Sequence, residues 1–188
     1  SAFGFFTSQS FYIGNIPVLA SRVSYVGETG WEIYALTELG LNLWDLLWAA
    51  GQEHGIIAAG MAAVDTLRLE KGFLLWGSDI HTEYNPYEAG LGFAVRPNKG
   101  DFIGKKSLLE QQEYPSQTLC YLTLNDSTAI VMGKEPVLVD GKVLGYVTSA
   151  GYGYSLGRCI AYAYLPLGYS TPGTTVTIEY FDQPLTAT

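Results

Sequence analysis

A glycine-rich segment near the start of the chain carries the side chains best placed for chemistry. The residues Gly27-Glu28-Thr29-Gly30 predict a turn between two stretches rich in β-branched and aromatic residues. In the second stretch, side chains alternate between two faces, so Glu32 and Tyr34 share one face and Ile33 points to the other. We expect the apolar face to meet the core. Glu32 then points towards solvent or a ligand, as a solvated charge or as a hydrogen-bond acceptor.

The other nucleophilic and metal-ligating side chains stand apart in the sequence. Cys120 and Cys159 have neither CxxC nor Cys/His spacing, so we expect buried thiols, a reducing compartment and no metal site. His54 and His81 are also isolated, and His54 precedes Gly55 at a predicted helix end, where a cation suits the helix dipole. The GxGxxG, P-loop, GxSxG and HExxH motifs are all missing. The chain is therefore not expected to hold a dinucleotide by a glycine-rich turn.

Composition excludes several classes of protein. Of the 188 residues, 48% are hydrophobic and 15% charged, which predicts a packed core and argues against disorder. The net charge is -8, and the only basic cluster is Lys105-Lys106, so we expect no nucleic-acid partner. No apolar run approaches the roughly 20 residues that span a bilayer, so we expect no membrane association. We expect a cytoplasmic location, or the mitochondrial matrix if the source is eukaryotic. The sequence starts without methionine and runs straight into strand-like sequence, so we also expect it to be cut from a longer protein.

Up to about residue 114 the sequence predicts mixed strands and helices. Ile16–Val26 and Trp31–Ala35 predict a hairpin, and Thr37 is the expected cap of a helix over Glu38–Glu53. The apolar stripe of that helix is Leu39, Leu43, Leu46, Leu47 and Ala50. The remaining predicted elements of this part are a helix over Met61–Glu70, a strand over Pro86–Val95 and a helix over Gly104–Gln112.

The pattern changes after residue 114 to short strands with turn signals. Asp140-Gly141 between Pro136–Val139 and Lys142–Thr148 predicts a tight hairpin. Arg158–Leu165 and Thr174–Phe181 predict further strands. Several short strands at close spacing favour a small antiparallel barrel or sandwich. We therefore predict an α+β protein with domains at 1–114 and 115–188.

Four blocks, in order over about residues 22 to 162, resemble the glycine cleavage T-protein family. Arg22-Val-Ser-Tyr25-Val-Gly-Glu-Thr-Gly-Trp-Glu32-Ile resembles the R-x-G-Y-T-G-E-x-G-x-E-I signature. The other blocks are Asp65-Thr-Leu-Arg68-Leu-Glu-Lys-Gly72, Asn85-Pro-Tyr-Glu-Ala-Gly-Leu-Gly-Phe93, and Gly145-Tyr-Val-Thr-Ser149 with Ser155-Leu-Gly. The resemblance implies that residues 1–114 are the C-terminal part of a folate-binding aminomethyltransferase domain. It also implies that residues 115–188 are the family's β-barrel.

The second and third blocks look most like the flavin-linked branch of the family, which contains dimethylglycine oxidase, dimethylglycine dehydrogenase and sarcosine dehydrogenase. In that branch, FAD in a separate N-terminal domain or subunit oxidises an N-methyl group. The folate domain then captures the carbon as 5,10-methylenetetrahydrofolate. The resemblance therefore implies tetrahydrofolate as cofactor and small methylated amines or amino acids as donors. It also implies that this chain binds no FAD itself and has upstream flavin and folate segments as its structural partners.

Site residues follow from the resemblance only where positions match. The family's pterin-binding glutamate matches Glu32, whose carboxylate suits adjacent ring N–H and amino donors. The signature tyrosine matches Tyr25, which would line the pocket, and Tyr34 is a candidate only because it shares a face with Glu32. The family's catalytic aspartate lies upstream, so we expect no catalytic residue in this chain. Val64 stands where the T-protein itself has an arginine that helps hold folate.

Other readings stay open. The chain can belong to the T-protein proper, which takes an aminomethyl group from a lipoyl carrier, or to a non-enzymatic folate-binding regulatory or assembly protein, or it can be a structural remnant without a ligand. Tyr25 can be an ordinary strand aromatic. Arg68 and Glu70 are expected to pair with neighbours, and Asp79 to cap or brace a loop.

Overall fold

The computed structural model describes residues 3–188, which form two compact units. One ends at Arg68 and the other runs from Leu69 to Thr188. The first combines a three-stranded sheet with helices, and the second combines a six-stranded antiparallel sheet with short helices. This mixture of helices and sheets confirms the predicted α+β class. The domain boundary near residue 114 stays a prediction.

The first unit is built on a small antiparallel sheet. Its strands are β1 (Ser8–Ile13), β2 (Ile16–Ser21) and β3 (Glu32–Tyr34), with β2 in the middle. Alternate residues of β2 are buried, namely Ile16, Val18 and Ala20. Leu43, Ile13, Ile33, Ala35 and Leu39 belong to the same apolar cluster. One face of the sheet therefore meets the core, as the alternation predicted, and the other face is open.

The first hairpin prediction gave the right pairing and the wrong length. β2 pairs with β3 as expected, but it ends at Ser21 and not at Val26. The connecting segment leaves the strand conformation, because the Ser24 hydroxyl accepts the Val26 amide at 3.3 Å and Gly27 has a φ of 79°. A serine side chain that binds nearby backbone competes with ladder hydrogen bonds.

The first two helical segments end where the sequence predicted. A 3₁₀ turn (Thr37–Leu39) leads into α1 (Gly40–Gly51), and a second 3₁₀ turn (Gln52–His54) ends at Gly55, whose φ is 71°. The helix α2 (Met61–Lys71) is followed by Gly72 with a φ of 83°. Glycine tolerates this left-handed conformation, which closes a helix.

Two details of α1 differ from the prediction. Thr37 makes no capping hydrogen bond, because it lies inside the entry turn that the Leu39 amide closes on the Leu36 carbonyl at 2.9 Å. Of the predicted apolar stripe, Leu43 is buried and Leu39 partly so, whereas Leu46 and Leu47 are exposed. Within this unit, one turn of the helix supplies its contribution to the core.

The second unit begins with turns and one helix. The segment predicted as a strand over Pro86–Val95 forms no strand, so that prediction was wrong. The Asn85 side chain accepts the amides of Tyr87 and Glu88, and the Glu88 carboxylate accepts the Asn85 amide at 3.2 Å. This reciprocal capping bends the chain before any ladder can form. The helix α3 (Lys105–Glu113) follows two 3₁₀ turns, as predicted within one residue.

Six antiparallel strands form the rest of the second unit. They are β4 (Gln117–Thr123), β5 (Pro136–Val139), β6 (Lys142–Gly153), β7 (Arg158–Pro166), β8 (Val176–Tyr180) and β9 (Gln183–Ala187), in the sheet order β4-β7-β6-β5-β8-β9. A bridge between Leu124 and Ala187 joins the two ends of the sheet. Closing a sheet on itself makes a barrel, which settles the choice between barrel and sandwich left open by the strand pattern.

The turn that leads into strand β9 has no clear signal in the sequence. The hairpin between β8 and β9 turns through Phe181 and Asp182, with φ values of 46° and 61°. Such turns usually pair asparagine or aspartate with glycine, and Phe181-Asp182 contains no glycine, so β9 was not predicted. At Asp140-Gly141, where φ is 49° and 73°, the usual residues are present and the hairpin prediction was confirmed.

Candidate functional site

The open face of the first sheet is the candidate site. Residues directly opposite one another across antiparallel strands share a face and lie about 5 Å apart. The register therefore sets out three rows on this face. They are Ser8–Ser21–Glu32, Ser10–Leu19–Tyr34 and Tyr12–Pro17. All of these residues are exposed except Ser21, which is half-buried. The rows combine a carboxylate, hydroxyl groups and aromatic rings on one accessible surface.

Glu32 and Tyr34 are held together on this face, as their alternation predicted. The Tyr34 hydroxyl donates to Glu32 Oε2 at 2.6 Å. This hydrogen bond, together with the negative charge of Glu32, raises the pKa of Tyr34 above its usual value of 10.0, because both oppose a phenolate. Tyr34 therefore stays a donor at neutral pH and fixes one carboxylate oxygen. Within the described residues, no side chain donates to the other oxygen, so it can accept from a ligand.

A pair of hydroxyl groups lies in the same row as Glu32. Ser8 Oγ and Ser21 Oγ are 2.8 Å apart, and either can be the donor. Neither serine was singled out by sequence reasoning, because β1 was not recognised as a strand and its register with β2 was unknown. The polar row is a product of the strand pairing alone.

An open cleft borders the tyrosine side of this face. Its volume is about 620 Å³, and Tyr34 is among the residues that line it. The lining also includes Tyr12, Leu19, Val18 and Leu36, so most of its surface is apolar and aromatic. A small-molecule pocket commonly joins such a surface with a few placed polar groups.

Tyr25 lies outside strand β3, which carries the other two predicted residues, Glu32 and Tyr34. It belongs to the segment between β2 and β3 and is 36% exposed. The same segment begins with Arg22, whose guanidinium lies 5.8 Å from the centre of the Trp31 ring and donates to the Phe3 carbonyl at 2.6 Å. The role of Tyr25 in binding stays a prediction.

Arg68 and Glu70, which were expected to pair with neighbours, both make hydrogen bonds within the protein. Arg68 Nε donates to Asp65 Oδ1 at 2.7 Å, so Arg68 pairs with a neighbour as expected, and Arg68 itself is only 1% exposed. Glu70 accepts the Ser155 amide at 2.6 Å and its hydroxyl at 2.8 Å. That contact ties the end of α2 to the turn after β6.

Asp79 braces a loop, as predicted. It is completely buried, and its carboxylate accepts the Leu75 amide at 2.9 Å and the Thr148 hydroxyl at 2.7 Å. The Tyr164 hydroxyl also donates to the Asp79 carbonyl at 2.8 Å. Through these bonds the loop after α2 is fixed to strands β6 and β7.

Three other features bear on function. Cys120 and Cys159 are free thiols, and burial raises the pKa of both, which makes them poor nucleophiles. Among residues 3–188, no three His, Cys, Asp or Glu side chains come together in a way that would hold a metal ion. In the same part of the chain, no helix has the length and apolar character needed to cross a membrane.

The fold and the site together define a mixed helix-and-sheet module, in which a small sheet that displays a carboxylate precedes an antiparallel barrel. A family model described as the GCVT N-terminal domain matches residues 1–99, and one described as the glycine cleavage T-protein C-terminal barrel domain matches residues 117–188. The chain belongs to the glycine cleavage T-protein family.

The relatives include a dimethylglycine dehydrogenase and aminomethyltransferases. The whole chain is 41% identical to part of the mitochondrial dimethylglycine dehydrogenase of Mus musculus. The matched part is 22% of that protein. It is 40% identical to the aminomethyltransferase of Symbiobacterium thermophilum over 93% of its length and 47% of that protein. The crystal structure of the glycine cleavage system aminomethyltransferase T from Bartonella henselae matches the whole chain with a TM-score of 0.85 and 28% identity, over 52% of the crystallised chain. The chain thus spans about a fifth of the first relative and about half of the others.

Proposed function

We propose that this chain binds tetrahydrofolate as part of an enzyme that captures a one-carbon unit as 5,10-methylenetetrahydrofolate. The observation that carries the proposal is the Glu32 carboxylate on the open sheet face, with one oxygen fixed by Tyr34 and the other available. The amide edge of a pterin presents an amino group and a ring N–H side by side. A carboxylate accepts from two such donors at once, and hydrogen bonds to a charged group are the strong ones.

The neighbouring surface fits the rest of such a ligand. The cleft beside Tyr34 is lined mainly by apolar and aromatic side chains, which can pack against a flat ring. Tyr25 is proposed as a further pocket residue, in line with its place in the family signature. Bound tetrahydrofolate supplies the nitrogen atoms that take up the carbon, whereas Glu32 binds and orients the ring and Tyr34 holds Glu32 in place.

We assign the donor to the methylated glycines, dimethylglycine or sarcosine. The support is the 41% identity with a dimethylglycine dehydrogenase over the whole chain, together with Val64 at the position where the T-protein itself has arginine. In this proposal, FAD and the catalytic aspartate belong to other segments of the whole protein. A cytoplasmic or mitochondrial-matrix location stays a prediction.

Aminomethyltransferase activity of the T-protein type is the second candidate. It is favoured by the 40% identity with a bacterial aminomethyltransferase over 93% of the chain. Both candidates require a folate site at Glu32. They differ in the donor. Turnover of dimethylglycine or sarcosine by the whole protein would support the first candidate, and turnover of a carrier-bound aminomethyl group would support the second.

The folate site is tested by titrating the protein with folinic acid, a stable reduced folate, and following tryptophan fluorescence. Trp31 directly precedes Glu32 and is the expected reporter. Glu32→Ala removes an acceptor for two donors, so we expect affinity to fall about 10- to 100-fold, corresponding to roughly 1.5–3 kcal/mol for hydrogen bonds to a charged group.

Glu28→Ala is the matched control, because Glu28 is exposed in the preceding loop and its loss changes the net charge by the same amount. We expect this variant to bind like the unchanged protein. Equal weakening in both variants would mean that overall charge governs binding. The absence of saturable binding to the folded, unchanged protein would refute the proposed site.

A further inference from the structure

The polar row next to Glu32 offers one more contact than the carboxylate alone. Ser8, Ser21 and Glu32 are directly opposite one another on β1, β2 and β3. The two serine hydroxyl oxygens are 2.8 Å apart, so one hydroxyl proton is used within the pair. Each hydroxyl group has a single proton, and the second proton of the pair is therefore left for a third group.

The neighbouring donor on this face is already used. The Tyr34 hydroxyl donates to Glu32 Oε2 at 2.6 Å and has no second proton to give. Ser10 lies on the same face, but Leu19 separates it from β3 in the next row. Among the described residues of this face, the Ser8–Ser21 pair is thus the donor that lies in line with the carboxylate.

The chemistry of the proposed ligand requires such a donor. The amide edge of a pterin continues from the amino group and the ring N–H to a carbonyl oxygen, which is an acceptor. A carboxylate cannot bind that oxygen, since both are acceptors. A buried or ligand-covered carbonyl without a donor would cost about 1–3 kcal/mol. The row of two acceptor oxygens followed by a hydroxyl donor matches the edge in order.

We propose that the Ser8–Ser21 hydroxyl pair donates a hydrogen bond to the ring carbonyl of the pterin bound by Glu32. This inference rests on the proposed folate site and names two residues that would fix the orientation of the ring within it. The pair defines which way round the ring lies, because the reverse orientation would set the carbonyl oxygen against the carboxylate.

The test is an infrared difference spectrum of bound folinic acid carrying a carbon-13 label at the ring carbonyl. A hydrogen bond lowers the stretching frequency of a carbonyl group, so the label reports the contact itself. The double substitution Ser8→Ala with Ser21→Ala should move the labelled band to higher frequency and weaken binding about five- to tenfold, the effect of one lost hydrogen bond. Both serines are replaced because either hydroxyl alone can still donate.

Thr37→Val is the control, since it removes an exposed hydroxyl group that lies outside this sheet face, and it should leave the band and the affinity unchanged. Ser21→Cys keeps the side chain at nearly the same size with a weaker donor, and in a Ser8→Ala background it should shift the band even if the double alanine variant folds poorly.

The outcomes distinguish the serine contact from the folate site itself. If Glu32→Ala weakens binding as expected while the serine variants change neither the band nor the affinity, the serine contact is refuted and the folate site stands. If the unchanged protein does not bind folinic acid, both proposals fall.

Discussion

The buried contact between Thr148 and Asp79 gives a stability prediction with a definite size. Thr148 Oγ1 donates to Asp79 Oδ1 at 2.7 Å, and the two residues are 3% and 0% exposed. Thr148→Val keeps the shape of the side chain and removes the donor, so the carboxylate loses one of its partners without leaving a cavity.

The magnitude follows from the chemistry of that bond. A hydrogen bond to a charged group contributes roughly 1.5–3 kcal/mol, and no solvent reaches Asp79 to replace the lost donor. We expect the free energy of unfolding to fall by about 2 kcal/mol. For a chain of this length, the corresponding decrease in Tm is roughly 4–8 °C.

Urea unfolding followed by far-UV circular dichroism measures the change. Thr177→Val is the matched control: Thr177 lies in strand β8, is half-buried, and its hydroxyl makes no side-chain hydrogen bond among residues 3–188. Its free energy of unfolding should change by less than about 0.5 kcal/mol. If both variants lose the same small amount, the Asp79 carboxylate does not depend on Thr148, and the brace is held by other contacts.

Two further predictions concern the site and the barrel. The charge of Glu32 and its hydrogen bond raise the pKa of Tyr34, so Glu32→Gln should lower that pKa towards the usual 10.0. The phenolate then forms at lower pH than in the unchanged protein, which ring carbon-13 NMR of Tyr34 measures. An unchanged or higher pKa would contradict the geometry. Gly145→Ala should destabilise the barrel by about 1–3 kcal/mol in thermal unfolding, because the added methyl group would overlap the Tyr164 carbonyl, whereas Gly168→Ala, which meets open space, should be nearly neutral.

Local signals in the sequence were read correctly where neighbouring residues decide the conformation. Gly55 and Gly72 mark the ends of the helical segments, and Asp140-Gly141 turns a hairpin, because positive φ angles are accessible to glycine and short polar residues. The same local rules failed at Phe181-Asp182, where phenylalanine takes one of the two positive φ angles and glycine is missing. They also failed at Asn85, where side-chain capping overrode an apolar run that looked like a strand.

The candidate site was predicted in part. Alternation along one strand placed Glu32 and Tyr34 on a common face, and the structure adds the hydrogen bond between them. The family signature supplied the idea of a pterin ligand, which no periodicity or charge pattern contains. Ser8 and Ser21 went unnoticed, because their relation to Glu32 depends on the register of three strands.

The sequence by itself determined the class of the fold, the ends of its helices, the face on which Glu32 points outward and the family. Each of these depends on the properties of residues within a few positions, or on blocks in a fixed order. Only the tertiary structure decided which distant groups meet. Examples are the serine pair beside the carboxylate, the closure of the barrel between Leu124 and Ala187, and the burial of Asp79 under Thr148. Such contacts join residues far apart in the chain, and strand register and packing select them together because each depends on the others being formed.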